Sequence, residues 1–265
     1  MASAELRIIN RRIKSVKSTK KITRAMELIA SSRIVKAQQR LSSSNNYTNL
    51  LAQIVEELTG SGEMPSSPVT EGTKRITLVV ITSDRGLAGA YNTNILKLAE
   101  VRKSEYEKLN NNVEIVTVGK KANGYFKYRN IEPKQNYEGK TNQIELVYTE
   151  YQSAMTQTAL YKTVLPFEVE QIAKEIESVG GYTFEPSASQ VLSNIIPKYT
   201  NATIFSALLN ASTSEHAARM RAMKAATENA EELIKILSRK SNQARQAEIT
   251  TEISEIVGGA EALAG

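Results

Sequence analysis

Leu6-Arg7-Ile8-Ile9-Asn10-Arg11-Arg12-Ile13-Lys14-Ser15-Val16 sets apolar side chains at Leu6, Ile9, Ile13 and Val16, spaced three, four and three apart. That alternation is the a/d seam of a coiled coil, which a helix buries only against another helix. No Pro or Gly interrupts the chain from Ala4 to Leu58, so one helix is expected over 1–58. At 1.5 Å per residue it would run roughly 80 Å, too long to pack on one small core. Past Val16 the apolar pattern shifts phase through Ile22, Met26 and Ile29 to Ile34, Ala37 and Leu41, then resumes at Leu50, Leu51, Ile54 and Leu58. Gly60-Ser61-Gly62 is expected to end the helix, and Pro65 and Pro68 to carry a loop to Lys74.

The other end of the chain has the same texture. A helix is expected from Ser187, with Pro197 kinking or breaking it, and neither Pro nor Gly occurs from Tyr199 to Val257. Phe205, Leu208, Leu209, Met220, Met223, Ala226, Ala230, Leu233, Leu237, Ile249, Ile253 and Ile256 form its apolar stripe, and Gly258-Gly259 is expected to stop it. Two such helices need partners of comparable length, and the economical solution is that they pair antiparallel with each other.

Between them the pattern changes. Ile76 to Ile81 is a continuous β-branched run, read as a buried strand, and Ser83 to Gly89 is a glycine-containing turn. Asn92 or Thr93 can cap a helix to about Leu109. Val113–Val118 and Ile144–Tyr151 read as strands, Lys120–Tyr128 as a short helix, and Thr158–Phe167 as a fourth strand. Gly180-Gly181 marks a turn before a short extended piece, Tyr182–Phe184. Strand and helix alternating in this way predict an α/β layer over 74–185 with a largely parallel sheet, inserted between helical segments 1–58 and 187–265 that form one unit.

The 265 residues contain no Cys and no Trp, and one His. Disulfides, thiolate nucleophiles and Cys-ligated metals are excluded by composition, and so is any multi-His metal site. No apolar run approaches the ~20 residues needed to span a bilayer, and Met1 to Glu5 has no secretory signal. The reading is a cytoplasm-type protein and a poor candidate for an enzyme, with no cofactor expected.

The net charge of +6 is unevenly placed. Residues 1–40 hold Arg7, Arg11, Arg12, Lys14, Lys17, Lys20, Lys21, Arg24, Arg33, Lys36 and Arg40 against only Glu5 and Glu27, so this segment carries +9 and the remainder −3. A segment of that sign suits nucleic acid, anionic lipid or an acidic protein surface, or forms a solvated helix face. Other candidates for chemistry are weaker. The turn after the first strand suits an anion but is neither GxGxxG nor a Walker loop. His216 has no nucleophile arrangement around it and reads as a surface or seam residue. Tyr125, Phe126 and Tyr128, flanked by Lys127 and Arg129, could stack on RNA bases but fit the core of a small α/β domain better.

Three stretches carry a specific resemblance. Arg12 to Arg33, with Lys17-Ser18-Thr19-Lys20-Lys21-Ile22-Thr23-Arg24-Ala25-Met26-Glu27 at its centre, resembles the opening of the gamma subunits of rotary proton-translocating ATP synthases. Ser83-Asp84-Arg85-Gly86-Leu87-Ala88-Gly89-Ala90-Tyr91-Asn92 is similar to that family's motif after the first strand, though many relatives have Cys at the position of Ala88. Asn242 to Ala260 resembles its C-terminal signature. The resemblance implies a long antiparallel coiled coil carrying an inserted Rossmann-like α/β domain. The connection 137–143 is shorter than in family members, which usually have another helix there, so either the domain has one helical layer fewer or the sequence omits residues there, and its sheet order stays open.

The family's function is that of a central rotor shaft without a catalytic site of its own. The resemblance implies one copy per complex, inside a ring of three alpha and three beta subunits, with the inserted domain on the epsilon subunit and the c-subunit ring. Membrane contact would come only through that ring, at the cytoplasmic face of a bacterial plasma membrane, with no nucleic acid partner. By the same resemblance, rotor–stator contacts are expected from Lys17, Lys20, Lys21, Arg24, Met26 and Arg33, and from Arg245, Gln246, Thr250, Glu252 and Glu255. Ile253, Ile256, Val257 and Leu263 would turn in a hydrophobic bearing, and Ser83, Asp84, Arg85, Gly86, Gly89 and Asn92 form the motif of the inserted domain. The bland alternatives are salt bridges within the coil and packing of Met26 in the seam. Rival functions are a nucleic-acid-binding coiled coil, which leaves the C-terminal helix unexplained, and an α/β enzyme with helical arms.

Overall fold

The computed structural model describes residues 4–60, 74–134, 141–165 and 188–264, with the side chains of 56–60, 188, 189, 192 and 261–264 outside that description. Its elements run α1 (Ala4–Gly60), β1 (Arg75–Ile81), α2 (Tyr91–Lys108), β2 (Asn112–Val118), α3 (Lys120–Tyr128), β3 (Gln143–Tyr151), β4 (Gln157–Leu165) and α4 (Ala188–Ala264). The loop through Pro65 and Pro68, the turn at Gly180-Gly181, the extended piece at Tyr182–Phe184 and the end of the fourth strand at Phe167 lie outside the described residues. Contacts group the chain into two units, one of Met1–Ile29 with Met220–Gly265, the other Ala30–Arg219.

The first unit is a pair of antiparallel helices. Ser241 Oγ donates to Asn10 Oδ1 at 3.1 Å, Lys20 Nζ meets Glu231 Oε1 at 2.6 Å, and the Thr23 and Thr227 hydroxyls share a bond of 2.8 Å. Partners thus fall along α4 as they rise along α1. Buried and half-buried positions on α1 run Leu6, Ile9, Ile13, Val16, Lys20, Thr23, Met26, and on α4 Met223, Thr227, Ala230, Ile234, Leu237, Ser241, Ala244, Glu248. The expected phase shift is therefore corrected. Ile22 and Ile29 are 59% and 55% exposed, while Lys20 and Thr23 hold the seam. The three-four alternation from Val16 leads to those positions, and their polar groups find partners across it. Leu233, expected in the stripe, is likewise 43% exposed, because Ile234 takes the seam position.

The second unit is a four-stranded sheet in the order β2-β1-β3-β4, with β1 parallel to β2 and β3, and β4 antiparallel to β3. Between Val118 and Gln143 lie α3 and its connection, enough chain for the parallel crossover past β1. The period of two along β1 separates the faces. Leu78 and Val80 join Ile115 and Val147 beneath Tyr91, Ile95 and Ala99 of α2 and Ala122 and Phe126 of α3. Ile81, with Leu146, Tyr148 and Val164, packs on Ala207 and Ala211 of α4. A sheet covered on both sides explains the unbroken apolar run of β1. In the same unit Leu51 and Val55 of α1 bury against Tyr199 and Ala202 of α4.

One local expectation is narrowed and two are corrected. α4 continues through Pro197 instead of breaking there, since Val191, Ile195, Ile196 and Tyr199, flanking the proline on both sides, are packed in that cluster. It also continues through Gly258-Gly259, because a mid-helix glycine costs only about 1 kcal/mol and Ala260 to Ala264 are strong helix formers. The helix cap is neither Asn92 nor Thr93. Ala90 precedes the first turn of α2 without a side-chain cap, and Asn92 turns back to the preceding loop.

Candidate interaction surface

The basic segment on α1 divides by geometry. Lys20 is held in the coil by Glu231, and Arg24 grips both oxygens of Glu27 at 2.8 and 2.9 Å. The Lys20 contact lowers the Glu231 carboxyl below the usual range through its hydrogen bond and charge. Lys17 and Lys21 face solvent, Met26 is half-buried beside Glu27, and Arg33, in the other unit, is exposed. Of the expected contact cations, Lys20 thus also bridges the helix pair, while Arg24 is paired within α1.

At the far end of α4, Arg245, Gln246, Thr250, Glu252 and Glu255 are all exposed. Arg245 and Gln246 lie between the seam positions Ala244 and Glu248 and point away from α1, and the register explains the exposure of the other three. Asn10 pairs with Ser241 and α1 begins at Ala4, so α1 ends opposite the turn before Glu248. Every described side chain from Ile249 to Ala260 is exposed, including Ile249 at 48%, Ile253 at 57%, Ile256 at 71% and Val257 at 52%. Leu263 lies in the last turn, with its side chain outside the described ones. The overhang extends about 24 Å at the helical rise, with several apolar side chains facing solvent. Such a surface marks an interaction site.

The loop after β1 is a structural lock. Ser83 is buried, its amide donates to Asn92 Oδ1 at 3.0 Å, and its hydroxyl reaches the Arg85 carbonyl at 2.6 Å. Asp84 Oδ1 accepts the Lys120 amide at 3.0 Å, and Lys121 N–H donates to the Ser83 carbonyl. Arg219 donates to the carbonyls of Arg85 and Gly86 and pairs with Glu215. Gly89 has φ +57°, and Leu87, 62% exposed, has φ +62°. The amides of Ser83, Lys120 and Lys121 are engaged within the loop.

Two features escaped the sequence reading. Gly119, at φ +94°, brings its Cα so close to β1 that an added Cβ would lie 2.2 Å from the Thr82 carbonyl oxygen. Glu145 is wholly buried at mid-strand and receives Arg102 Nε at 2.9 Å, Arg102 Nη2 at 2.7 Å and the Tyr106 hydroxyl at 2.7 Å. Arg102 also stacks over the Tyr161 ring at 3.8 Å. The bond to Glu145 raises the guanidinium pKa further, and burial raises the Tyr106 hydroxyl. Tyr148, on the other sheet face, is pushed up to about 12 by burial and the charge of Glu150. A Glu within an apolar strand and an Arg in an i, i+4 relation to a Tyr were the only signals available.

His216 is half-buried, and its Nδ1 has no hydrogen-bond partner. Burial lowers its pKa, Glu215 opposes this, and Arg219 and Arg33 reinforce it. Of the three aromatics on α3, Phe126 is in the core, Tyr125 meets it edge-on, and Tyr128 is 89% exposed. Among the described residues no group of His, Asp and Glu could hold a metal, and no helix is long and apolar enough to cross a membrane.

Paired helices presenting charge and an exposed apolar stretch, with an α/β unit whose polar groups lock one another, define an interaction subunit of a larger assembly. The family model described as ATP synthase matches residues 5–263. The ATP synthase gamma chains of Streptomyces avermitilis and Acidothermus cellulolyticus are each 42% identical, with 98% of this chain and 97% of the relative covered. The chain belongs to the ATP synthase gamma chain family. The first alignment runs over 296 positions against 265 residues, so the relative has segments this chain lacks. The fold is shared with a chain of the OSCP/F1/c-ring structure of the Euglena gracilis mitochondrial ATP synthase, at a TM-score of 0.67, 18% identity and coverage of 98% and 94%. A central-stalk chain of the Tetrahymena thermophila enzyme aligns at a TM-score of 0.58 and 25% identity, covering 77% of this chain and 99% of that one.

Proposed function

We propose that this chain is the non-catalytic central-stalk rotor subunit of a bacterial ATP synthase, coupling proton-driven rotation of a c ring to ATP synthesis or hydrolysis on three beta subunits. One copy would sit within three alpha and three beta subunits and join epsilon and the c ring, peripheral to the cytoplasmic face of the membrane. The observation that supports the reading is the helix register that leaves Ile249, Ile253, Ile256 and Val257 of α4 exposed at the end of a two-helix pair. A pair of helices has no threefold symmetry. Three chemically identical sites around it therefore meet three different faces, and rotation changes which site is favoured in which conformation. Lys17, Lys21, Arg24 and Arg33 would meet acidic stator loops. Arg245, Gln246, Thr250, Glu252 and Glu255 would contact the ring, and the apolar end would turn against non-directional contacts.

The test is co-purification of a tagged chain from its own cells, with ATPase assayed on the assembly and on the chain alone. Three alpha, three beta and one gamma, with activity only in the assembly, is the expected result. Recovery of the chain alone, or bound to nucleic acid and released by salt, would overturn it.

A further inference from the structure

Within the sheet-bearing unit, α1 and α4 enclose a groove of about 990 Å³ whose chemistry differs from the surfaces described above. Lys36, Arg40 and Tyr47 line one wall, at i, i+4 and i+11 of α1, and Lys198 and Phe205 line the other. The span from Lys36 to Tyr47 is three helical turns, about 16 Å. All three cations are exposed. Neither helix supplies a counter-charge nearby, since α1 has no Asp or Glu between Glu27 and Glu56, and α4 has none between Ala188 and Ser214. Tyr47 and Phe205 are each 55% exposed, over a floor that includes the buried Ala202.

Unbalanced positive charge on both walls calls for carboxylates, and exposed aromatic rims call for apolar side chains between them. Three cations around an apolar floor suit alternating acidic and apolar side chains better than the continuous charge of a polyphosphate backbone. We propose that this groove docks an acidic, apolar-anchored segment of a neighbouring polypeptide, about three turns long if helical. The proposal rests on the rotor reading for the source of that partner, another chain of the same assembly.

The experiment compares the purified assembly with the isolated full chain. Both are treated with an amine-acetylating reagent and, separately, with a carbodiimide that joins Lys to a carboxylate in contact. Lys36 and Lys198 are expected to be acetylated at least about fivefold more slowly in the assembly, and to be joined to Asp or Glu of one partner segment. The joined products should vanish in a Lys36→Arg, Lys198→Arg variant that still assembles. Equal acetylation in a recovered assembly overturns the groove proposal alone. So does protection without a carboxylate link, or protection abolished by nuclease or lipid extraction, which would assign the groove to a phosphate-bearing ligand. Failure to recover alpha and beta chains at all would sink the rotor reading, and the groove proposal with it.

Discussion

Glu145 sits with no exposed surface in the middle of β3, and its tolerance there depends on Arg102 and Tyr106. Arg102→Met leaves a carboxylate buried without its counter-charge and is expected to cost about 3–5 kcal/mol, whereas replacing Arg102 and Glu145 together by Met costs much less. Urea unfolding of both variants, with the slope checked for constancy, measures the difference. Equal losses in the single and double variants would show that packing, not charge pairing, dominates. His216 makes a prediction of opposite chemistry. Its pKa in the folded chain lies below the ordinary value of about 6.5, so the unfolded chain binds more protons near that pH. Its contribution to stability is complete above that value and is lost as pH falls toward the folded pKa. Denaturant midpoints followed from pH 8 to pH 5 should fall more steeply in the parent chain than in His216→Asn.

The paired helices hold at their seam, and the Thr23–Thr227 contact tests how. Each hydroxyl also lies within bonding distance of a carbonyl of its own helix, Lys20 for Thr23 and Met223 for Thr227, so the two protons serve one bond across the seam and one to a carbonyl. One Thr→Val change is expected to cost about 1 kcal/mol by leaving the other hydroxyl short of a partner, and the double Val variant to be close to neutral. A double-mutant cycle on thermal midpoints reads the coupling directly. The overhang of α4 predicts the reverse. Removing the chain after Glu248 takes away only side chains that are exposed wherever they are described, so the unfolding free energy should change by less than about 0.5 kcal/mol. Coupled ATP synthesis by the assembly should drop markedly. A large loss of stability on truncation would mean that this segment has a partner within the chain.

At the scale of the whole molecule, the proposed coupling surface is tested through its exposed charge. Lys17 and Lys21 face solvent, while Lys20 and Arg24 are tied to Glu231 and Glu27. Lys17→Glu with Lys21→Glu is expected to reduce proton-driven ATP synthesis roughly three- to tenfold, given about 1 kcal/mol or less per exposed charge. The melting temperature of the isolated chain should hardly move. Synthesis and hydrolysis rates in membrane vesicles at two salt concentrations provide the readout, and unchanged synthesis would remove these lysines from the coupling surface.

Periodicity alone determined the two long helices, the strands and the α/β insertion, because burying a stripe or an alternating face is a local constraint visible at spacings of three, four or two. The motif around Asp84 and the terminal signatures were legible only through their resemblance to the family, as short runs in fixed order. Tertiary structure decided the rest. Which of Ile22, Lys20 and Thr23 enters the seam depended on the register against α4, since a polar group is tolerated there only when its partner lies across the interface. That register also left the end of α4 uncovered, and no local pattern in Ile249 to Val257 distinguishes an unpaired apolar face from a paired one. Arg102 and Glu145 are far apart in the chain, as are Gly119 and Thr82 and the two walls of the cationic groove. Each pair acquired its meaning only when strand order and helix pairing brought its members within bonding distance or to one surface.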